Sequence, residues 1–435
     1  MQVSVELSEG LKRRIKVEVP ADRVDSEIQN RLKNLSSRVK VAGFRPGKVP
    51  MKVVESQYGH QVRMEVVGEL MQSTLYEALA QEDLKPAGAP RVEPLSMEPG
   101  EALAYAADFE VMPEITLASM DGVTIEKPIC EIDESDVNDM LETLKKQRAT
   151  WKEVERAAKE GDQVVIDFEG KIDDVAFEGG KGTDAPLVLG SNSFIPGFET
   201  QLEGANINDD VKVKVTFPED YNSKDLAGKK AVFYVKVKKV LESELPEINE
   251  TLIKSFGVQS GDIQEFREEL QKNMQRELTQ KIKENIKNQI TSSLMEKNKI
   301  EIPASLTDSE AQRMLTQLEA QSGTKTNLAD LPESLRESLG QQANQRVALG
   351  LMFAEIAKVN NLTVSPDKVR AYIEEIAQSY DEPQEVINHY YSDRNNLSSI
   401  ESVVLEDEVI DCVLGQTKVE EVKKSFKDLV NAGKN

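Results

Sequence analysis

Hydrophobic and polar positions alternate where the chain begins. Residues 2–8 (QVSVELS) and 13–19 (RRIKVEV) place an apolar side chain at every second position, the period of a half-buried strand, and predict two strands. A helical pattern follows from Pro20, a favourable first helical residue, to about Lys40. The loop GFRPGKVP then intervenes, Pro50 restarts a helix, and a further helix is expected over about Gly59–Glu82. Strand-like segments near Arg91 and Tyr105 close an α+β zone ending at about Met112. Residues 113–150 are acidic, carry Pro113 and Pro128, and read as a linker with a short helical stretch to Arg148.

The pattern changes at about Trp151. Short alternating runs (QVVIDFEG, VKVKVTF, AVFYVKVKKV) with frequent glycines predict a small, mostly antiparallel sheet over 151–245. From about residue 246 to 435 the chain is poor in glycine and reads as almost all helix. There Phe266, Leu270, Met274, Leu278, Ile282, Ile286, Ile290 and Leu294 recur every fourth residue. A 3.6-residue turn makes that stripe drift by about 40° per step, so it wraps a helix roughly 50 Å long. Ser365-Pro366 and Asp381-Glu382-Pro383 mark starts of later helices.

Length agrees with this division, since 435 residues suggest about three domains. The expected fold is multidomain α+β: an α+β domain at 1–112, a linker at 113–150, an antiparallel β domain with a short helix at 151–245, and an all-α domain with long helical arms at 246–435. With 54 basic and 77 acidic residues the net charge is −23. Such a chain does not coat nucleic acid with its whole surface, so DNA is excluded as a partner and any RNA contact must be local. Two cysteines, Cys130 and Cys412, make no disulfide framework, and two histidines, His60 and His389, leave no zinc spacing. No run of 18 apolar residues predicts a membrane span, and the start lacks the apolar core of a signal peptide. These features lead us to expect a cytosolic protein without metal or cofactor.

One segment departs from the acidic balance. Between Arg31 and Arg63 stand eight Lys or Arg and one acid, Glu55, a local charge of +7. Gly43, Pro46, Gly47 and Pro50 would hold a compact turn with Phe44, Arg45 and Lys48 on its tip. Such a tip offers cations to phosphates and a flat face to a base or a protein; alternatively, the cations are merely the solvated faces of two helices. A phosphate-binding P-loop is excluded, because Gly43 to Gly47-Lys48 is one residue short and Val49 stands where Ser or Thr is needed.

GFRPGKVP at 43–50 resembles the ribosome-docking signature of the trigger factor family of bacterial nascent-chain chaperones. MQVSV at the start, AGAP at 87–90 and ATWKE at 149–153 resemble that family too. The resemblance implies that Gly43, Phe44, Arg45, Gly47, Lys48 and Pro50 dock on the large ribosomal subunit near the exit tunnel, touching protein and ribosomal RNA. It further implies a cytoplasmic, partly ribosome-bound protein with nascent and unfolded polypeptides as partners.

Residues 151–245 hold the only tryptophan and six of twelve phenylalanines. Periodicity alone assigns such aromatics to a core, yet Phe198 and Tyr221 fall near turns, as expected of an aromatic concavity for an apolar or prolyl ligand. The order IDF, FEGG, IPGFE, FPEDY resembles the FKBP-type prolyl isomerase domain. The resemblance implies a prolyl pocket of Phe168, Phe177, Ile195, Phe198, Phe217, Tyr221 and Phe233, with Phe194 at its rim. Glu178 takes the place of an aspartate near the pocket in many relatives. Ala185-Pro186 replaces an aromatic expected there, so one wall should be more open.

For the helical zone, packing among neighbouring helices explains the stripe. The resemblance, weaker here (ELPE, FG, the NMQREL region), adds a cradle for unfolded chains. Met274, Met295, Met314 and Met352 suit adaptable contacts within it. Free apolar faces would also pair, giving a weak homodimer. Two rivals remain: an isomerase with a helical dimerisation module, and an acidic ribosome-bound scaffold with a degenerate isomerase domain.

Overall fold

The computed structural model describes the chain except residues 40–43, 45–48, 174, 220, 222–225, 324, 326, 327, 379, 381 and 432–435, and except the side chains of residues 178, 321, 322, 329 and 431. The first elements are β1 (Gln2–Glu9), β2 (Lys12–Val19), α1 (Ala21–Ser36), α2 (Met51–Gln81), β3 (Arg91–Ser96), β4 (Leu103–Glu110), β5 (Thr124–Ile129) and α3 (Glu134–Gln147). Next come β6 (Thr150–Glu153), β7 (Gln163–Ile172), β8 (Val175–Val188), β9 (Asp210–Thr216) and β10 (Lys230–Glu244). The remainder contains α4 (Glu250–Ser255), α5 (Ile263–Lys297), α6 (Ala304–Ser322), α7 (Glu333–Val359), α8 (Pro366–Ala377), α9 (Pro383–Ser392), α10 (Arg394–Leu414), β11 (Lys418–Lys423) and α11 (Phe426–Asn431). None of the helices among the described residues is long and apolar enough to cross a membrane. Two compact units arise: Met1–Lys127 with Glu284–Glu421, and Pro128–Lys283 with Val422–Asn435.

In the first unit an antiparallel sheet of order β1-β2-β4-β3 carries α1 and α2 on one face. Alternation decides which side chains meet them: Ile15, Val17 and Val19 of β2 and Leu103, Tyr105 and Ala107 of β4 are buried against Val24 and Leu32 of α1 and the inner face of α2. Thr74 of α2 bonds the buried Tyr105 hydroxyl at 2.8 Å, satisfying both hydroxyls inside the core. Two helices were expected between Pro50 and Glu82; one helix of 31 residues stands there. Gly59 costs about 1 kcal/mol relative to Ala in a helix interior, but Val54, Val62, Val66 and Leu70 form one buried stripe across it, and that burial outweighs the local cost. In the same unit α6 packs on α7 through Ala311, Met314, Leu339 and Ala343. Val369, Ile373, Ile400 and Val404 join α8 to α10.

The second unit holds a five-stranded antiparallel sheet of order β6-β10-β7-β8, with β9 on the free part of β10. Its expected short helix is a single 3-10 turn at Glu199–Gln201. A second core joins α3, α4, α11 and the first half of α5 through Val137, Leu141, Ile253, Phe266, Leu270, Met274, Leu278, Phe426 and Leu429. The connection at 113–150 thus carries a strand and a packed helix, the latter started by a reciprocal cap between Asp133 and Asp136. The helical zone also contains one strand, β11, paired with β5.

The four-residue stripe of α5 is covered: seven of its eight residues are buried and Ile282 is partly so. Met274, Met314 and Met352 are buried as well, at 2%, 7% and 0% exposure. The expectation that they contact clients is therefore corrected, because the 3.6-residue period sets them on faces their own neighbours cover.

Candidate active site and docking loop

The antiparallel register of β7, β8 and β10 fixes the aromatic cluster. Phe168 lies on β7 and Phe233 on β10, where Phe233 faces Gly170 across the ladder. Phe177 comes from the start of β8, whereas Phe194 and Ile195 sit on the loop before the 3-10 turn, and Phe217 and Tyr221 follow β9. Together they line a cleft of about 420 Å³, with Gly179, Ser193, Pro196, Pro218 and Leu226. The rings meet mainly edge to face: Phe168 and Phe194 at 5.7 Å, Phe177 and Phe217 at 5.8 Å, Phe177 and Phe233 at 5.9 Å, Phe217 and Tyr221 at 4.7 Å. Each such contact adds about 0.5–1.5 kcal/mol beyond burial, so the rings of the cleft support one another.

Of the nine residues expected there, seven line the cleft. Phe198 does not: it is fully buried, 4.9 Å from the Phe194 ring and 5.3 Å from that of Phe233, and it forms the floor beneath them. The Glu178 side chain lies outside the described residues. Ala185 and Pro186 pair with Ile166 and Val165 on the edge strand β8 and do not line the cleft.

Sequence reasoning missed the glycines that make room for the rings. A Cβ on Gly170 would stand 2.5 Å from the Phe233 ring and 2.9 Å from that of Phe177, and one on Gly182 would stand 2.6 Å from the Phe168 ring. Their signal was available as glycines placed within a strand pattern, which mark close approach. Glu199 was missed too. Its carboxylate is 6% exposed and accepts from the amides of Gly190 at 2.8 Å, Asn192 at 3.0 Å and Phe194 at 3.1 Å. Burial acts to raise its pKa, but these amides outweigh it and hold the carboxyl below its usual range. Asp162 behaves alike: burial pushes it up, while Arg156, at 2.5 Å, and the Lys159 amide bring it below the ordinary value.

No charged or imidazole side chain is among the described lining residues. Nor do the described residues contain a group of His, Cys, Asp and Glu able to hold a metal ion.

For the docking loop, Gly43, Arg45, Gly47 and Lys48 lie outside the described residues. Phe44 is 41% exposed, and Pro50 caps α2. Val39 and the buried Val49 pack into the core on either side of the loop, so both of its ends are anchored. Not all the local cations are available for a partner: Arg31 pairs with Glu69, and Arg63 donates to the Met97 carbonyl at 2.8 Å.

Residues 1–144 match the family model for bacterial trigger factor protein, 154–238 that for FKBP-type peptidyl-prolyl cis-trans isomerase, and 262–415 that for the trigger factor C-terminus. Trigger factor of Chromohalobacter salexigens is 44% identical over 99% of this chain and 96% of its own length. That of Stutzerimonas stutzeri is 46% identical over 99% and 98%. A solved structure from work on promiscuous substrate recognition by the trigger factor chaperone covers 95% of this chain and 99% of its own at 19% identity, with a TM-score of 0.51. The chain belongs to the trigger factor family, with the FKBP-type peptidyl-prolyl cis-trans isomerase domain at 154–238.

Proposed function

We propose that this chain is a ribosome-associated chaperone of the bacterial cytoplasm that receives nascent polypeptides and isomerises X–Pro bonds in the aromatic cleft. The observation that carries the isomerase reading is the cleft itself, a concavity of phenylalanines with no charged lining among the described residues. Rotation about the amide meets a barrier of about 18–20 kcal/mol because resonance holds the bond planar. The twisted amide has lost that resonance and is less polar, so a dry aromatic box favours it over the planar ground state. That is differential binding, and it needs neither nucleophile nor metal. Phe168, Phe177, Phe194, Ile195, Phe217, Tyr221 and Phe233 are the proposed contacts, with Phe198 as their support.

Holding a client requires distributed apolar surface, and the first unit offers some. Leu318, Leu335 and Val359 are exposed, and Val359 shares a groove of about 350 Å³ with the half-buried Ile115 and Leu117. These positions replace the buried methionines as proposed client contacts. Such surface would also support a weak homodimer away from the ribosome, visible as concentration-dependent sedimentation.

Docking is assigned to Gly43, Phe44, Arg45, Gly47, Lys48 and Pro50, with the large subunit near the exit tunnel as partner. Replacing Phe44, Arg45 and Lys48 together by Ala is expected to abolish co-sedimentation with ribosomes while isomerase turnover on a short peptide stays intact. Parental binding should weaken as salt rises, as for other contacts with RNA phosphate. A triple variant that pellets like the parent would remove the loop from the docking surface.

A further inference from the structure

Glu199 belongs to the 3-10 turn behind the cleft and does not line it. Its bonds all run in one direction, to the loop of residues 190–194. The carboxylate accepts from the Gly190, Asn192 and Phe194 amides and from the Ser191 hydroxyl at 3.3 Å. Gly190, at φ +89°, and Asn192, at φ +57°, both adopt left-handed backbone. That conformation turns successive amides toward a common centre, a concavity suited to an anion. Here the anion is the protein's own side chain.

The loop held in this way continues directly into Ser193, Phe194, Ile195 and Pro196, four consecutive residues of the cleft lining. We infer that the Glu199 carboxylate is a positioning residue for the isomerase: it clamps the 190–194 loop from behind and so presets the wall formed by Phe194 and Ile195. This rests on the aromatic cleft being the prolyl site. An isosteric neutral side chain would break the clamp, because a carboxamide keeps one acceptor oxygen and sets an N–H₂ in place of the other, against the donors that oxygen had accepted from. The loop would then be ordered only when substrate arrives. Ordering it at that moment costs ground state and transition state alike, which is a loss of uniform binding.

The effect is therefore expected in KM. In the full-length chain, Glu199→Gln should raise KM for a prolyl peptide about tenfold and keep kcat within about twofold of the parent. Glu199→Asp retains the charge but withdraws it by one methylene, and should fall between the two. Val240→Ala, which opens the core away from the cleft, serves as a destabilised control. It should lower apparent kcat only as far as it unfolds the domain, with KM unchanged. If a folded Glu199→Gln shows the parental KM, the clamp has no part in catalysis; should that variant fail to fold, a parental KM for Glu199→Asp overturns the inference in the same way. A parent chain without turnover would overturn the isomerase reading, and this inference with it.

Discussion

At the scale of single residues the cleft divides into rings that line it, the proposed ligand contacts, and groups that hold those rings. Phe198 is of the second kind. Its truncation to Ala should cost about 3–5 kcal/mol of domain stability, since a fully buried ring is lost from a packed floor. The unfolding midpoint of residues 151–245 in the intact chain, followed through Trp151, measures this. Gly182→Ala tests the opposite fault. Its Cβ would force the Phe168 ring aside, and overpacking of that kind costs about 1–3 kcal/mol, so turnover on a prolyl peptide should drop although no lining side chain is altered. Acid should loosen the same domain. Glu199 and Asp162 are held below their ordinary carboxylate pKa, so their stabilisation is complete above the unfolded value of about 4 and is lost as pH falls through the folded one. Thermal midpoints measured between about pH 6 and pH 3 should decline for the parent and decline less for Glu199→Gln. The aromatics were legible in the sequence because large side chains at turns announce themselves. Glu199 was not, since its four donors come from a loop whose backbone turn only the folded chain displays.

Among the elements, the strands were the most legible. Period two locates β1, β2, β7, β9 and β10, and each pairs through the alternation that sequence showed. Helices were legible in kind but not in extent. Gly59 and Pro50 suggested two helices where one stands, because the buried valine stripe that spans Gly59 is a tertiary effect. The drifting stripe of α5 was read as packing among neighbouring helices, with a client cradle added by the resemblance; its burial agrees with the packing. The helix α3 was expected as part of a linker, yet Val137 and Leu141 commit it to a core. Its start should be sensitive accordingly. Asp133→Ala removes the side chain that accepts from the Asp136 amide at 3.0 Å, and a loss of about 1 kcal/mol is expected in denaturant unfolding of the intact chain.

Across the whole molecule, the isomerase domain is an insertion whose ends meet. Thr150 of β6 pairs with Glu244 of β10, so the chain enters and leaves at one point, and few contacts need cross the boundary for the domain to fold by itself. Excising 151–243 and bridging the ends with a short glycine linker should leave a folded remainder. That remainder is expected to suppress aggregation of an unfolded protein lacking a slow prolyl step, because the proposed client contacts lie outside the excised part. Isomerisation, in contrast, should reside entirely in the excised part. The most direct measurement is turnover of a short prolyl peptide by the full-length chain carrying Phe177→Ala, with its unfolding midpoint recorded alongside. Phe177 is half-buried and lines the cleft between Phe217 and Phe233. A fall of more than tenfold, about 1.4 kcal/mol of transition-state stabilisation, in a variant that remains folded is the predicted result; a folded variant with parental turnover would contradict it.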